Sequence, residues 1–217
     1  MRCLFPTILF AFLVSCTGSS HQKTDDSQRL ELVPEPDKEI RLEQEKIANS
    51  KKLNCVLENP DESLNGITFV DSESFLKIIG DAKMANDFGE YKFYSNMENQ
   101  TLTMTQHPGD SKYEISIFKV KYSSKANQGY QVLETDDFES EKGIKLGISK
   151  SQVIEKLGTC YLPIDSSANH IKLYYRIDLP KDSRNKILET HNMPTYYASY
   201  VFRNDTLIKF EFGFEYP

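Results

Sequence analysis

The residues of this 217-residue chain with types suited to chemistry are few: four cysteines, four histidines and, in a stretch with an apolar helix face, the Ser-x-x-Lys spacing of Ser74 and Lys77. In Ser74-Phe75-Leu76-Lys77 a lysine one helical turn away could activate a serine for acyl transfer. The companion segments that such sites use, Ser-Asp-Asn and Lys-Thr-Gly, do not occur in the sequence. Lys77 also falls opposite the apolar stripe of Phe75, Leu76 and Ile79, which aims it at solvent. His107, His170 and His191 stand apart, with no His-x-x-x-His spacing, and no two cysteines are close in sequence, so no metal site is expected. His107 precedes Pro108-Gly109, the setting of a solvated turn. Asp136, Asp137, Glu139 and Glu141 crowd one segment, but adjacency in sequence is not a catalytic pair; a solvated linker and a cation site are the two readings of that run. Gly-x-Ser-x-Gly, Gly-x-Gly-x-x-Gly and Walker-type loops are absent, so neither an enzyme nor a cofactor is expected.

The cysteines divide by position. Cys3 lies in an opening that carries one positive charge at Arg2, then an apolar run over residues 4–14, then Ser15-Cys16. Such a run is too short to span a bilayer and has the form of a secretory signal. Leu13-Val14-Ser15-Cys16 resembles the lipobox of bacterial lipoproteins, with Leu at −3, a small residue at −1 and Cys at +1. The resemblance implies a signal peptide over 1–15 and lipid on the Cys16 sulfur. Thr17 stands where the inner-membrane retention signal of that family usually has Asp, so the implied address is the outer membrane. Two or more acyl chains anchor a protein stably, at ~0.8 kcal/mol per buried CH₂.

Cys55 and Cys160 remain in the mature chain. Outside the cytoplasm an even pair suggests a disulfide, and two buried free thiols are the alternative.

These residues must be positioned by elements that the pattern partly reveals. Residues 17–36 are poor in apolar side chains and are expected to be a disordered tether. Residues 37–52 are charged and rich in helix formers, with a thin apolar stripe, so 16–52 reads as a lipidated, flexible or partly helical tether. From residue 53 the pattern changes and two stretches match. Gly66-Ile67-Thr68-Phe69 leads to an N-cap at Asp71, an apolar helix face at Phe75, Leu76 and Ile79, and then Gly80. Gly143-Ile144-Lys145-Leu146 leads to Ser149, then Val153, Ile154 and Leu157, and then Gly158. Strand-like runs follow each: 91–94, 102–106 and 113–122, then 171–177, 196–202 and 207–216. The last alternates, with Ile208, Phe210, Phe212 and Phe214 expected inward and Lys209, Glu211 and Glu215 outward. Asn204-Asp205 reads as a tight hairpin turn. The expected fold class is α+β: two tandem helix-plus-antiparallel-sheet repeats, 53–123 and 143–217, behind the tether, with 124–142 as a linker that holds an extra strand near 130–133.

The stretch Gly143-Ile-Lys-Leu-Gly-Ile-Ser-Lys-Ser-Gln-Val-Ile-Glu-Lys-Leu-Gly158 resembles the opening of small bacterial lipoprotein and inhibitor modules, among them the small outer-membrane-assembly lipoprotein and the tandem-repeat β-lactamase-inhibitor proteins. In the first stretch Val70 stands where the second glycine of that pattern would be. The resemblance implies a helix backed by an antiparallel sheet.

Composition narrows the partners. With 26 basic against 32 acidic residues the net charge is −6, and no basic patch is interleaved with aromatics, which argues against nucleic acid. The aromatic content points to protein contacts. Tyr174 and Tyr197 take the opposite phase from the more continuous apolar rows on their strands. They read either as exposed partner-surface rings or as rings covered by the 180–192 excursion. The expected function is a non-enzymatic interaction module, anchored through Cys16, whose partner is another envelope or extracellular protein. The alternative is a carrier for a small or lipidic ligand.

Overall fold

A computed structural model describes residues 38–123, 130–167, 169–179 and 185–215. The signal peptide 1–15, Cys16 and the tether 17–36 lie outside the described residues. The charged stretch that follows forms helix α1 (Lys38–Ser50), with Ile40 and Leu42 exposed and Ile47 half-buried.

The two matching stretches take matching local structure. Strands β1 (Ser63–Leu64) and β2 (Ile67–Thr68) pair around Asn65-Gly66, both at positive φ. Asp71 then caps helix α2 (Ser72–Ile78), accepting from the amides of Glu73 and Ser74 at 3.0 and 3.2 Å. In the second stretch Ser149 opens helix α3 (Lys150–Leu157) with a capping box to Gln152. Ile67 and Ile144 are both buried, as are Phe75 and Val153 on the helices, and Gly80 and Gly158 both sit at positive φ past the helix ends. The position before the first cap is instructive. Gly147 takes φ +90° without strain, whereas Val70 takes φ +52°, a left-handed conformation that costs a β-branched residue roughly 1–2 kcal/mol.

After α2 come β3 (Glu90–Tyr94), β4 (Gln100–Thr105), β5 (Ile117–Tyr122) and β6 (Gln131–Val132). After α3 come β7 (Leu162–Ser167), β8 (His170–Asp178), the short α4 (Ile187–Thr190), β9 (Thr195–Arg203) and β10 (Thr206–Phe214). The fold is mixed α+β, and the strands of both halves form one eight-stranded sheet in the order β6-β3-β4-β5-β10-β9-β8-β7. The meanders β3-β4-β5 and β8-β9-β10 meet where β5 and β10 pair antiparallel. Core rows therefore run across the junction: Phe93, Leu102, Val120, Phe210, Tyr200 and Leu173 are successive cross-strand neighbours, all buried. At the junction Gly213 faces Ile117, and a Cβ there would lie 2.2 Å from the Ser116 carbonyl oxygen, so the two strands approach in a way only glycine permits.

Three expectations need correction. In β10 a bulge between Leu207 and Lys209 turns Leu207 inward in place of Ile208, which is only half-buried. The run 113–122 is not one strand: Tyr113 sits at φ +71°, its hydroxyl bonded to Asp81 and Ala82, and pairing begins at Ile117. The segment 124–142 is not simply a solvated linker. Residues 124–129 lie outside the described residues, but β6 pairs parallel with β3, Phe138 is fully buried, and Ser140 bridges to Leu64.

The same segment encloses Asp61, which is fully buried on the core side of the sheet. One carboxylate oxygen accepts from the Lys142 amide at 3.3 Å, and the Ser140 and Tyr200 hydroxyls stand near enough to bear on the carboxyl's charge. Burial pushes the carboxyl up from 3.8 to about 6, against the opposing effects of Ser140 and Lys142. A carboxyl raised on folding contributes stability that is fully present below pH 3.8 and lost as pH rises through about 6. Asp61→Asn is therefore expected to raise stability at pH 7.5 by up to about 3 kcal/mol and to flatten the dependence between pH 4 and 6. Urea unfolding across that range checks this; a loss of stability in the variant at pH 7.5 would refute it.

Candidate functional site

The sheet has two unlike faces. Helices α2, α3 and α4 supply Phe75, Val153, Leu157, Ile187 and Leu188 to the core on one face. Strand alternation sends the other residues to the opposite face, where among the described residues α1 is the one helix. Three rows cross that outer face. Lys121, Lys209, Val201 and Lys172 form the first; Lys119, Glu211, Ser199 and Tyr174 the second; Ile117, Gly213, Tyr197 and Arg176 the third.

Between α1 and these rows lies a groove of about 660 Å³, lined by rings and charges alike. Tyr174 and Tyr197 meet in it, their centroids 6.5 Å apart and their planes 28° from parallel. The sequence thus brings the two tyrosines to one place, but not as two open rings. Tyr174 is buried, 1% exposed, and Tyr197 is half-buried. Cover on Tyr174 comes from α1, whose Lys46 ammonium stands 4.4 Å from the ring centroid; residues 180–184 of the excursion lie outside the described residues.

Charge in the site is arranged in two clusters. Tyr197 donates to Glu211 at 2.6 Å, and Lys119 pairs with the same carboxylate at 3.1 Å. Burial works to raise the Glu211 pKa, but the Lys119 charge and the Tyr197 hydrogen bond outweigh it and hold the carboxyl below its ordinary value. Burial and the same carboxylate push the Tyr197 hydroxyl far above the usual phenol range, so it stays a donor. The second cluster centres on Arg176, whose side chain is 7% exposed. It donates to Asp178 at 2.9 Å, to Glu215 at 2.6 Å and to the Tyr174 hydroxyl at 3.1 Å. Burial opposes its charge, and the bonds to Glu215 and Asp178 more than restore it. Sequence reading missed this cluster. Its signal was there: Arg176 and Asp178 share a strand face two residues apart, and Glu215 takes the outward phase of its own strand.

The remaining candidates do not assemble into chemistry. The Ser74 hydroxyl donates to the Asp71 carbonyl at 2.8 Å and accepts from the Thr68 amide at 3.0 Å, which makes it part of the helix opening, while Lys77 is exposed. His107 is not in a solvated turn: it is buried, 6% exposed, at the end of the groove, and burial lowers its pKa. His191 packs against Phe69 and Phe214, with Glu62 at 3.5 Å. Asp137 pairs with Lys145 at 2.9 Å and accepts from Gln100 at 2.7 Å, and Glu141 accepts from Glu62 and Ser63, so the acidic run ties the halves together. Among the described residues no cluster of His, Cys, Asp and Glu could hold a metal ion. Cys55 and Cys160 are joined in a disulfide.

Comparison with known proteins finds no matching family model, no similar curated protein and no similar solved structure.

Proposed function

We propose that this chain is an outer-membrane lipoprotein, held by lipid on Cys16, that acts without catalysis as a protein-interaction module through the outer face of its sheet. The observation that carries the reading is that face itself: a broad polar strand surface flanked, among the described helices, by α1 alone, with rings and paired charges ordered on it. Ordered polar groups next to half-buried tyrosine suit a partner surface, because little side-chain freedom remains to be lost on binding. The lipobox supports the anchor. The likeness of residues 143–158 to small lipoprotein and inhibitor modules, together with the matched caps, buried positions and glycine conformations of the two halves, supports an origin by duplication.

The groove favours a second reading. Its volume lies within the range of small-molecule sites, so a carrier for a small or lipidic ligand is the alternative. Both readings meet one experiment. A photo-crosslinking residue placed at Ser199, on the outer face, is expected to give a discrete protein adduct in native membranes, and the same residue at Lys77 on α2 is not. Cys16→Ser is expected to remove the membrane-anchored form. A bound small molecule in native mass spectrometry with no protein adduct from Ser199 would replace the first reading by the second.

A further inference from the structure

The outer face is not electrically uniform. Lys121 and Lys209 are direct cross-strand partners, and Lys172 lies in the same row beyond Val201. Arg203, exposed, adds a fourth cation two residues further along β9. Like charges set opposite each other on an antiparallel pair destabilise it. Among the described residues none of these four side chains makes an ion pair or hydrogen bond. The carboxylate whose charge bears on Lys209, Glu211, is already committed to Lys119 and Tyr197. Lys209 is half-buried, and desolvation together with the charges of Lys119, Lys172 and Lys121 lowers its pKa. The row is thus a concentrated positive field on a chain whose net charge is −6.

From this juxtaposition we propose, resting on the interaction-module reading above, that the Lys121–Lys209–Lys172 row is the docking site for an extended acidic segment of a partner protein. Strands stand about 4.8 Å apart, so the row runs about 14 Å across the sheet. Alternate side chains of an extended peptide are about 7 Å apart, so carboxylates at positions i, i+2 and i+4 span the same length. The chain's overall negative charge opposes dense polyanions and anionic bilayers. A short acidic segment brings few charges and can meet the row locally.

The test uses purified full-length protein and a fluorescent peptide of alternating Glu and Ser, followed by anisotropy. Saturable binding is expected that weakens at least tenfold between 50 and 500 mM NaCl. Lys121→Glu, Lys172→Glu and Lys209→Glu together are expected to weaken it at least tenfold. The control triple Lys52→Glu, Lys77→Glu and Lys83→Glu changes the net charge equally and is expected to alter binding less than twofold. Circular dichroism establishes that both triples are folded; if the first is not, the single Lys209→Gln replaces it, with at least a threefold loss expected. Equal loss in both triples overturns the site, as does tighter, row-dependent binding to phosphatidylglycerol vesicles than to the peptide. A peptide that fails to bind while the Ser199 adduct forms overturns the acidic partner alone; absence of that adduct overturns the module reading itself.

Discussion

Replacing Cys55 and Cys160 by alanine is expected to lower the stability of the folded protein by about 4–5 kcal/mol. The disulfide closes a loop with a sequence separation of 105 residues, and on the chain-entropy account a loop of about that length is worth roughly 4.7 kcal/mol. Neither cysteine is buried, so removing the sulfurs leaves little cavity and the effect falls on the unfolded chain. The bridge ties the segment after α1 to the end of α3, two pieces that no strand pairing joins. Urea midpoints of wild type, reduced wild type and the double variant measure the effect, and the two without the bridge are expected to coincide. An unreduced digest should contain the two cysteine peptides joined. Full labelling of both thiols in unreduced native protein would contradict the expectation.

The second large effect is expected at Arg176. Arg176→Met keeps the volume of the stem but leaves Asp178 and Glu215, whose side chains are 15% and 31% exposed, without their shared cation. Removing the shared cation of a largely buried ionic cluster costs up to about 3–5 kcal/mol, because the carboxylates that faced it lose its charge and are not fully resolvated. The loss should be partly reversed in Arg176→Met with Asp178→Asn and Glu215→Gln, which no longer sets two carboxylates beside an apolar stem. A cycle of these variants by chemical denaturation separates the ionic contribution from packing. A single variant within 0.5 kcal/mol of wild type would show that the cluster is already solvated.

How much was readable from the chain depends on the range of the cause. The caps at Asp71 and Ser149, the glycines after both helices and the Asn204-Asp205 turn are decided within a few residues, and each is found where local chemistry puts it. The bulge at Ile208 was not readable, since simple alternation gives Ile208 and Leu207 equal claims and only the pairing with Val201 and Phe202 chooses. The joining of β5 to β10 is a choice among many long-range registers, settled by the whole row of core residues together. For the site, phase correctly placed Tyr174 and Tyr197 on one face. It could not show that Tyr174 is covered, because the cover is a lysine stem from a helix with scarcely any apolar stripe. His107 was misread because a residue before Pro-Gly looks like a turn, whereas its burial is decided by β10, more than 100 residues away in sequence.

The position of β10 has a consequence for how the chain acquires its structure in time. It is the last strand in chain order, yet it lies in the interior of the sheet with β5 on one side and β9 on the other. Synthesis from the N-terminus therefore delivers this interior strand after the other nine described strands. Until Thr206–Phe214 emerges, the first meander has an open edge at β5, and the core rows stop at Val120 and Phe118. A partial chain lacks the β5–β10 pairing, so the two meanders cannot be joined before that strand arrives. The contacts that join the two halves of the sheet are therefore, among its strand pairings, the ones of greatest sequence separation, and they form after the chain's final segment is present.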